Sequence, residues 1–472
     1  MCIQTYQPTP GESEDCLYLD VYKPQGFSTP LPVMVWIHGG GNVNGNKNKF
    51  NGTLLAARGV IVVTTNYRLG PFGFLSTEDA TMPGNYGMLD QIAALQWVQD
   101  NIAAFGGDPT SVTLFGESAG SADVSLHVLS PLSKGLFARA IMQSGCSSTS
   151  RAVPPPLVGV TPNMIVTGAG AILGCNQTGH SFLSCLQSKD AHALYQASIK
   201  ASRSDVSTMK FRPRVENVFG FLPDYPLRLL YRGAFNKIDT LRGFNAQEKG
   251  DLRPVGDPDN DGLTIVEFRT LATKVLNDFP YVYHDKYMKL IEDLYLANVT
   301  NPFEIRSKAI QMTSDFSFIA PVVLEAKTAK PNNQDSKYFL YQFNYQPSYN
   351  HKPHWMGTLH AFDIQFVFGF PQRLTDNWHP KPNAADLKVS DMMMTMWTNF
   401  AKFGNPTPAG HSHAPLIHWS QFYYSKRNYL QISEHLEHRE FNTTQNTKVL
   451  DLYRETETDY ILALTPSLPV VG

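Results

Sequence analysis

The sequence predicts an α/β protein: a mostly parallel central sheet with helices on both faces and large loop and helical insertions. Three observations carry that reading. Continuous apolar runs such as Val33 to Ile37 and Gly59 to Thr65 are short and lack the alternation of a one-sided strand, so they read as strands buried on both faces. Between such runs lies helical spacing. From Asn85 to Phe105, the residues Ile92, Leu95, Val98, Ile102 and Phe105 recur at steps of three and four, until Gly106-Gly107-Asp108-Pro109 stops the pattern. Finally, in Ser111 to Gly120 the β-branched and aromatic run Val112 to Phe115 is cut by Gly116. It gives way at once to small residues and a helical pattern from Ser118 to Leu129, so a strand turns sharply into a helix.

The remaining elements follow the same rhythm. Cys16 to Tyr22 alternates Leu17, Leu19 and Val21 with polar or aromatic neighbours, as a half-buried strand does, and Pro24 and Gly26 end it. Ala138 to Gln143 reads as a strand, and Arg151 to Ser204 loosens into loops and short helices around Cys175 and Cys185. Sheet signals return at Ile238 to Phe244 and at Tyr338 to Phe343. A long helix begins near Val389 and ends over Asn399 to Asn405, Tyr429 to Ile432 reads as the last strand, and Val449 to Leu462 as a closing helix. Length alone suggests about three domains. The signals nevertheless run on with no Ser/Gly-rich linker, charge block or repeat, so residues 1–472 read as a single domain.

Composition excludes several function classes. The net charge is −2 with Lys and Arg scattered, which gives neither a nucleic-acid footprint nor a polybasic membrane patch. No apolar run is long enough to span a bilayer, and the tail Tyr460 to Gly472 is too short and proline-broken to serve as an anchor. Four of the five cysteines fall into close pairs, Cys2 with Cys16 and Cys175 with Cys185. Glycosylation sequons start at Asn51, Asn176, Asn298 and Asn442. Together these point to a secreted or secretory-pathway protein. Met1-Cys2-Ile3 begins no signal peptide, so the chain reads either as mature or as lacking its true start.

Two glycine-rich motifs carry chemistry. Gly116-x-Ser118-x-Gly120 is the pattern of a nucleophile elbow, where glycines flank the serine because only a missing Cβ lets strand and helix approach closely enough to expose Oγ. His38-Gly39-Gly40-Gly41 directly follows a core strand, one strand–helix unit ahead. It suits an oxyanion hole, whose backbone N–H groups must face one developing charge without side chains in the way. The chain has 14 histidines, three of them (His351, His354 and His360) close together. Only His360 is followed by a strand-like run, and no Cys or acidic spacing supports a metal, so neither metal nor cofactor is expected. His38 reads as a structural partner of the glycine turn, Glu117 and Ser144 as polar groups behind the serine, and Cys146 as a buried, inert cysteine.

These residues resemble the type-B carboxylesterases and cholinesterases of the α/β-hydrolase fold. The resemblance is carried by Ser13-Glu14-Asp15-Cys16-Leu17-Tyr18-Leu19, by Gly84-Asn85, Asp90-Gln91 and Phe105-Gly106-Gly107-Asp108-Pro109 leading into Gly116-Glu117-Ser118-Ala119-Gly120, and by Trp355-Met356-Gly357 with His360. It implies Ser118 as nucleophile, His360 as general base, Gly40, Gly41 and Ala119 as oxyanion donors, and the disulfides Cys2–Cys16 and Cys175–Cys185. The family's triad acid is the Glu of an Asn-x-x-Glu-Gly stretch. Here Asn245-Ala246-Gln247-Glu248-Lys249-Gly250 carries an extra lysine, which makes Glu248 the choice and Asp251 the fallback.

The order Ser118, Glu248, His360 is that of α/β-hydrolases. Two departures stand out. The family's opening β-hairpin is absent, which leaves a sheet edge uncovered, and the loop Ile3 to Asp15 contains no tryptophan for choline recognition. The expectation is a serine esterase acting on small or medium carboxylic esters, with a general carboxylesterase ranked first, a hormone or pheromone esterase or lipase next, and a true cholinesterase last. The alternatives are a non-catalytic cholinesterase-like adhesion protein and an inactive truncated product.

Overall fold

The continuous apolar runs become strands because helices cover both of their faces, leaving no solvent side to demand polar residues. The computed structural model describes residues 1–27, 29–149, 152–153, 161–202, 211–252, 262–279, 284–332, 334–374, 379–410, 416–423, 425–441 and 444–464. The chain divides into two compact units, Met1–Thr240 with Phe400–Asn405, and Leu241–Asn399 with Pro406–Gly472.

In the first unit, strands β1 (Leu19–Tyr22), β2 (Leu31–Ile37), β3 (Ile61–Thr65), β4 (Gly107–Glu117) and β5 (Arg139–Gln143) stand in the order β1-β3-β2-β4-β5. All pairs are parallel except the edge pair β1 with β3. Val35 of β2 faces Val63 on one side and Leu114 on the other, which fixes the register of three consecutive apolar strands. Trp36 is fully buried between Phe50 and Phe115, at ring-centroid distances of 5.0 and 4.8 Å. The helix Tyr86–Asn101 continues as a 3-10 turn to Phe105, and Gly106 ends it with φ 81°, a left-handed stop that suits glycine. The helices Pro162–Ile172, Gly179–Gln187 and Ala191–Ala201 occupy the loosened region, and disulfides join Cys2 to Cys16 and Cys175 to Cys185.

The second unit contributes β6 (Asp239–Asn245), β7 (Tyr338–Phe343), β8 (Asn428–Ile432) and β9 (Leu436–Glu440), in that order. Its strand β8 is not the last, as the sequence reading has it. β9 pairs antiparallel with β8, yet reads Leu-Glu-His-Arg-Glu and is largely exposed. An edge strand with solvent on its faces needs no apolar pattern, and its charges discourage pairing with another chain. The long helix spans Ala384–Phe403, beginning earlier than its apolar spacing, because the Asn383 side chain accepts from the N–H groups of Ala385 (2.8 Å) and Asp386 (3.0 Å). The closing helix is Thr444–Leu464. Among the described residues, no helix is long and apolar enough to cross a membrane.

An ion pair is buried inside this unit. Arg242 on β6 donates to Glu325 on the helix Ala320–Ala329, the two side chains being 2% and 1% exposed. Removing one partner leaves an uncompensated buried charge. Arg242→Met is therefore expected to cost about 3–5 kcal/mol in denaturant unfolding, and the double replacement Arg242→Met with Glu325→Leu much less than the sum of the singles.

Candidate active site

Ser118 sits where β4 ends and the helix Ala119–Leu129 begins, with φ 57° and ψ −123°. A non-glycine residue there is strained, and the neighbouring backbone holds it. The Ser118 N–H donates to the Gln143 carbonyl (2.9 Å), and its own carbonyl accepts from Ala122 N–H (3.0 Å). The flanking glycines are required by close approach. A Cβ on Gly120 would lie 2.2 Å from the Ile37 carbonyl oxygen, and one on Gly116 would lie 2.6 Å from the Gly120 carbonyl. Gly39 is also pressed against the elbow, since its Cβ would lie 3.0 Å from Ser118 Cβ. The glycine loop after β2 and the turn after β4 thus meet at the serine.

Gly40 and Gly41 have φ of 109° and 65°. Among the described residues, the N–H groups of Gly40, Gly41 and Ala119 donate to no backbone carbonyl, and no side chain caps the helix that starts at Ala119. Unsatisfied donors at a helix N-terminus are suited to an anion. His38 is buried, stacks on Tyr67 (4.6 Å) and places Nδ1 2.9 Å from the Gly39 carbonyl. Burial pushes its pKa down to about 4, so the ring stays neutral and braces the loop. Glu117, Ser144 and Cys146 are all buried near the turn in sequence, and Cys146 stands outside both disulfides.

Glu248 and His360 belong to the second unit. Glu248 is fully buried. Its Oε1 accepts from the Asn245 N–H (2.6 Å), while Oε2 lies 2.6 Å from His360 Nδ1. Asp251, the fallback acid, is exposed. The extra Lys249 does not displace the carboxylate. Gly250 still makes the close approach expected of the motif's glycine, since a Cβ there would meet the Met356 carbonyl oxygen at 1.9 Å. Gln247 joins the two loops, with Thr358 N–H donating to its Oε1 (2.8 Å) and its own N–H donating to the Thr358 carbonyl (3.0 Å). The run after His360 is the helix Phe362–Val367, not a strand as the sequence suggests, because a short apolar run fits a buried face of either kind.

Some contributors carry no motif signal. Phe318 packs on His360 (4.6 Å) from a π-helical turn, Asp315–Ile319, set between the helices Pro302–Ser314 and Ala320–Ala329. Such a turn shifts side chains by one position and often marks functional sites. Asp363 is buried and accepts from the Tyr341 hydroxyl (2.8 Å) and from Asn245 (3.3 Å), extending the support behind Glu248. A cavity of about 650 Å³ in this unit is lined by Gln247, Gln311, Trp355 and Thr358 among others, but neither Glu248 nor His360 lines it. Among the described residues no group of His, Cys, Asp and Glu is placed to hold a metal. Asn51, Asn176 and Asn298 are exposed, and Asn442 lies outside the described residues.

The tightness of the elbow gives a direct test. Gly120→Ala must push apart β2 and the helix Ala119–Leu129, and is expected to cost about 1–3 kcal/mol in denaturant unfolding, with loss of whatever activity depends on the turn.

Comparison with known proteins agrees with this architecture. The model of the carboxylesterase family matches residues 1–450. Carboxylesterase 1C of Rattus norvegicus is 36% identical over 428 residues, covering 89% of this chain and 73% of that protein. Liver carboxylesterase of Sus scrofa is 36% identical over 436 residues, with the same coverage of both chains. Bile salt-activated lipase of Homo sapiens is 35% identical over 458 residues, covering 92% of this chain and 58% of that protein. The chain belongs to the carboxylesterase family of the α/β-hydrolase fold, and it is a carboxylic ester hydrolase acting on small molecules.

Proposed function

We propose that Ser118, His360 and Glu248 form a catalytic triad and that residues 1–472 work as one hydrolase domain, cleaving small or medium carboxylic esters through an acyl-enzyme. The observation that carries the reading is the Glu248–His360 pair. A buried carboxylate 2.6 Å from Nδ1 fixes the tautomer that leaves Nε2 as a base, and stabilises the imidazolium formed when that base takes a proton. On this reading Ser118 Oγ attacks the ester carbonyl as Nε2 accepts its proton. The carbonyl electron pair moves to oxygen, where Gly40, Gly41 and Ala119 N–H groups hold it, each worth about 3 kcal/mol of barrier. The pair then returns to expel the alcohol, which takes the proton from His360, and water releases the acid by the same steps. No metal or cofactor takes part in this scheme.

Secretion and glycosylation at Asn51, Asn176, Asn298 and Asn442 belong to the same proposal, supported by the two disulfides and by the exposure of the first three sequons.

A fluorophosphonate probe is expected to label the purified protein once, at Ser118, and Ser118→Ala to abolish both label and esterase activity. Glu248→Gln should keep the fold but lower kcat by about 10⁴-fold, as loss of the orienting acid does elsewhere. Absence of labelling on folded protein would remove the triad. A panel of acyl chain lengths, with a choline ester included, should show preference for simple esters; a marked choline-ester preference would overturn the substrate ranking.

A further inference from the structure

An oxyanion hole needs donors from two different chain segments to converge on one oxygen, so something must hold those segments in register. Gly40 and Gly41 lie on the loop after β2, while Ala119 opens the helix Ala119–Leu129. One buried carboxylate joins them. Asp123, one turn into that helix and fully buried, accepts from Asn42 Nδ2 (3.1 Å) and from Gln91 Nε2 (2.7 Å). Asn42 directly follows Gly41, has φ 60°, and donates no other side-chain bond among the described residues.

The direction of each bond follows from the acceptor-only carboxylate. Gln91 gives its amide hydrogens to Asp123, so its oxygen faces His127 Nε2 (2.9 Å), which therefore carries the proton. His127 Nδ1 is left to accept from the Ser133 hydroxyl (2.7 Å). On the other side Asn42 Oδ1 accepts from the Tyr67 hydroxyl (3.1 Å), which is shared with the His38 carbonyl (2.8 Å). Two donor chains converge on Asp123, and one of them passes through the residue next to the oxyanion glycines.

We propose that Asp123 is a positioning residue: as a carboxylate it clamps Asn42, and so the Gly40–Gly41 loop, in register with Ala119 on its own helix. The proposal rests on the esterase reading above and adds to it the group that assembles the hole.

The titratable groups round Asp123 are Tyr67, in the segment after β3, and His127, one turn along its own helix. Arg68, beside Tyr67, is taken by Asp90 of the helix Tyr86–Asn101 (2.7 Å). Burial pushes Tyr67 well above its ordinary range and His127 down to about 3, so both stay neutral. Burial raises Asp123 from 3.8 to about 7, against the lowering effect of its two amide donors. The native state therefore holds a proton that the unfolded chain releases near 3.8, and this group's contribution to stability declines as pH rises from about 4 to about 7. The ionised form is costly to the fold, as expected of a group kept for geometry at the site and not for stability.

The test uses the full chain at pH 8.5. Asp123→Asn is isosteric, but turns an amide towards one of the two donors. It should lower kcat by about 10²-fold, the effect of one misplaced oxyanion donor, with KM within about threefold. The exchange of partners, Asn42→Asp combined with Asp123→Asn, moves the carboxylate to position 42, where it accepts from Tyr67 and from the new amide at position 123. The oxygen of that amide is left to accept from Gln91. The exchange should restore kcat to within about tenfold of the parent. Asn42→Gly keeps the left-handed backbone while deleting the amide, and should reproduce the kcat loss even if Asp123→Asn fails to fold. Parental kcat in folded Asp123→Asn or in Asn42→Gly would overturn the proposal. If the parent itself neither labels with fluorophosphonate nor cleaves esters, it is the esterase reading that fails.

Discussion

Everything around the serine turn depends on one strained residue. Ser118 has a positive φ of 57° with ψ −123°, a conformation that costs a non-glycine residue about 1–3 kcal/mol, and its backbone is held by hydrogen bonds to Gln143 and Ala122. That strain sets the rest. The chain must reverse from strand to helix within a residue, so Gly116 and Gly120 present bare backbone to Ile37 at the end of β2, and Gly39 in the loop beyond it does the same against Glu117 and Ser118. The same turn leaves the first N–H groups of the helix without intrahelical partners. Strain, glycines and unsatisfied donors are one feature seen from three sides.

Around this turn and in the second unit, the polar groups that matter are buried and hydrogen-bonded. Glu248, Asp363 and Asp123 are each 0% exposed, and each accepts from at least one side-chain or backbone donor held by a separate element. Without such donors a buried carboxylate would be costlier still to ionise; with them its oxygens become acceptors that orient their neighbours. The imidazole of His360 is held in the same manner, by Glu248 at its edge and by Phe318 across its face. Rigidity of this kind suits a site where a misplacement of about 1 Å carries a large cost in rate.

Much of the fold is legible along the chain because the signals are local. Val33 to Ile37 and Tyr338 to Phe343 are strands as read, their β-branched and aromatic residues favouring a strand where the period of a short run decides nothing. The helix Ala119–Leu129 and the stop at Gly106 follow from spacing and from a left-handed glycine. What escapes is whatever lacks a core to face or is too short to show a period. β9 is charged because it lies at an edge, and the helix after His360 is too short for its period to show. The N-terminal start of the long helix depends on a capping asparagine, a weaker signal than the apolar spacing that follows it.

By itself the sequence marked the serine turn and the bare glycine loop before it, because glycines at fixed offsets and apolar periods are properties of short stretches, while the family resemblance implied His360, Glu248 and the two cysteine pairs. Only the tertiary structure decided that Glu248 and not Asp251 meets His360, that Phe318 covers the ring from a π-helical turn, and that Asp123 gathers the hydrogen bonds of Asn42 and Gln91. Those contacts join residues tens to more than a hundred positions apart. Their energy comes from excluding water around paired polar groups, and a chain read one stretch at a time carries no record of which distant partner will share the same dry space.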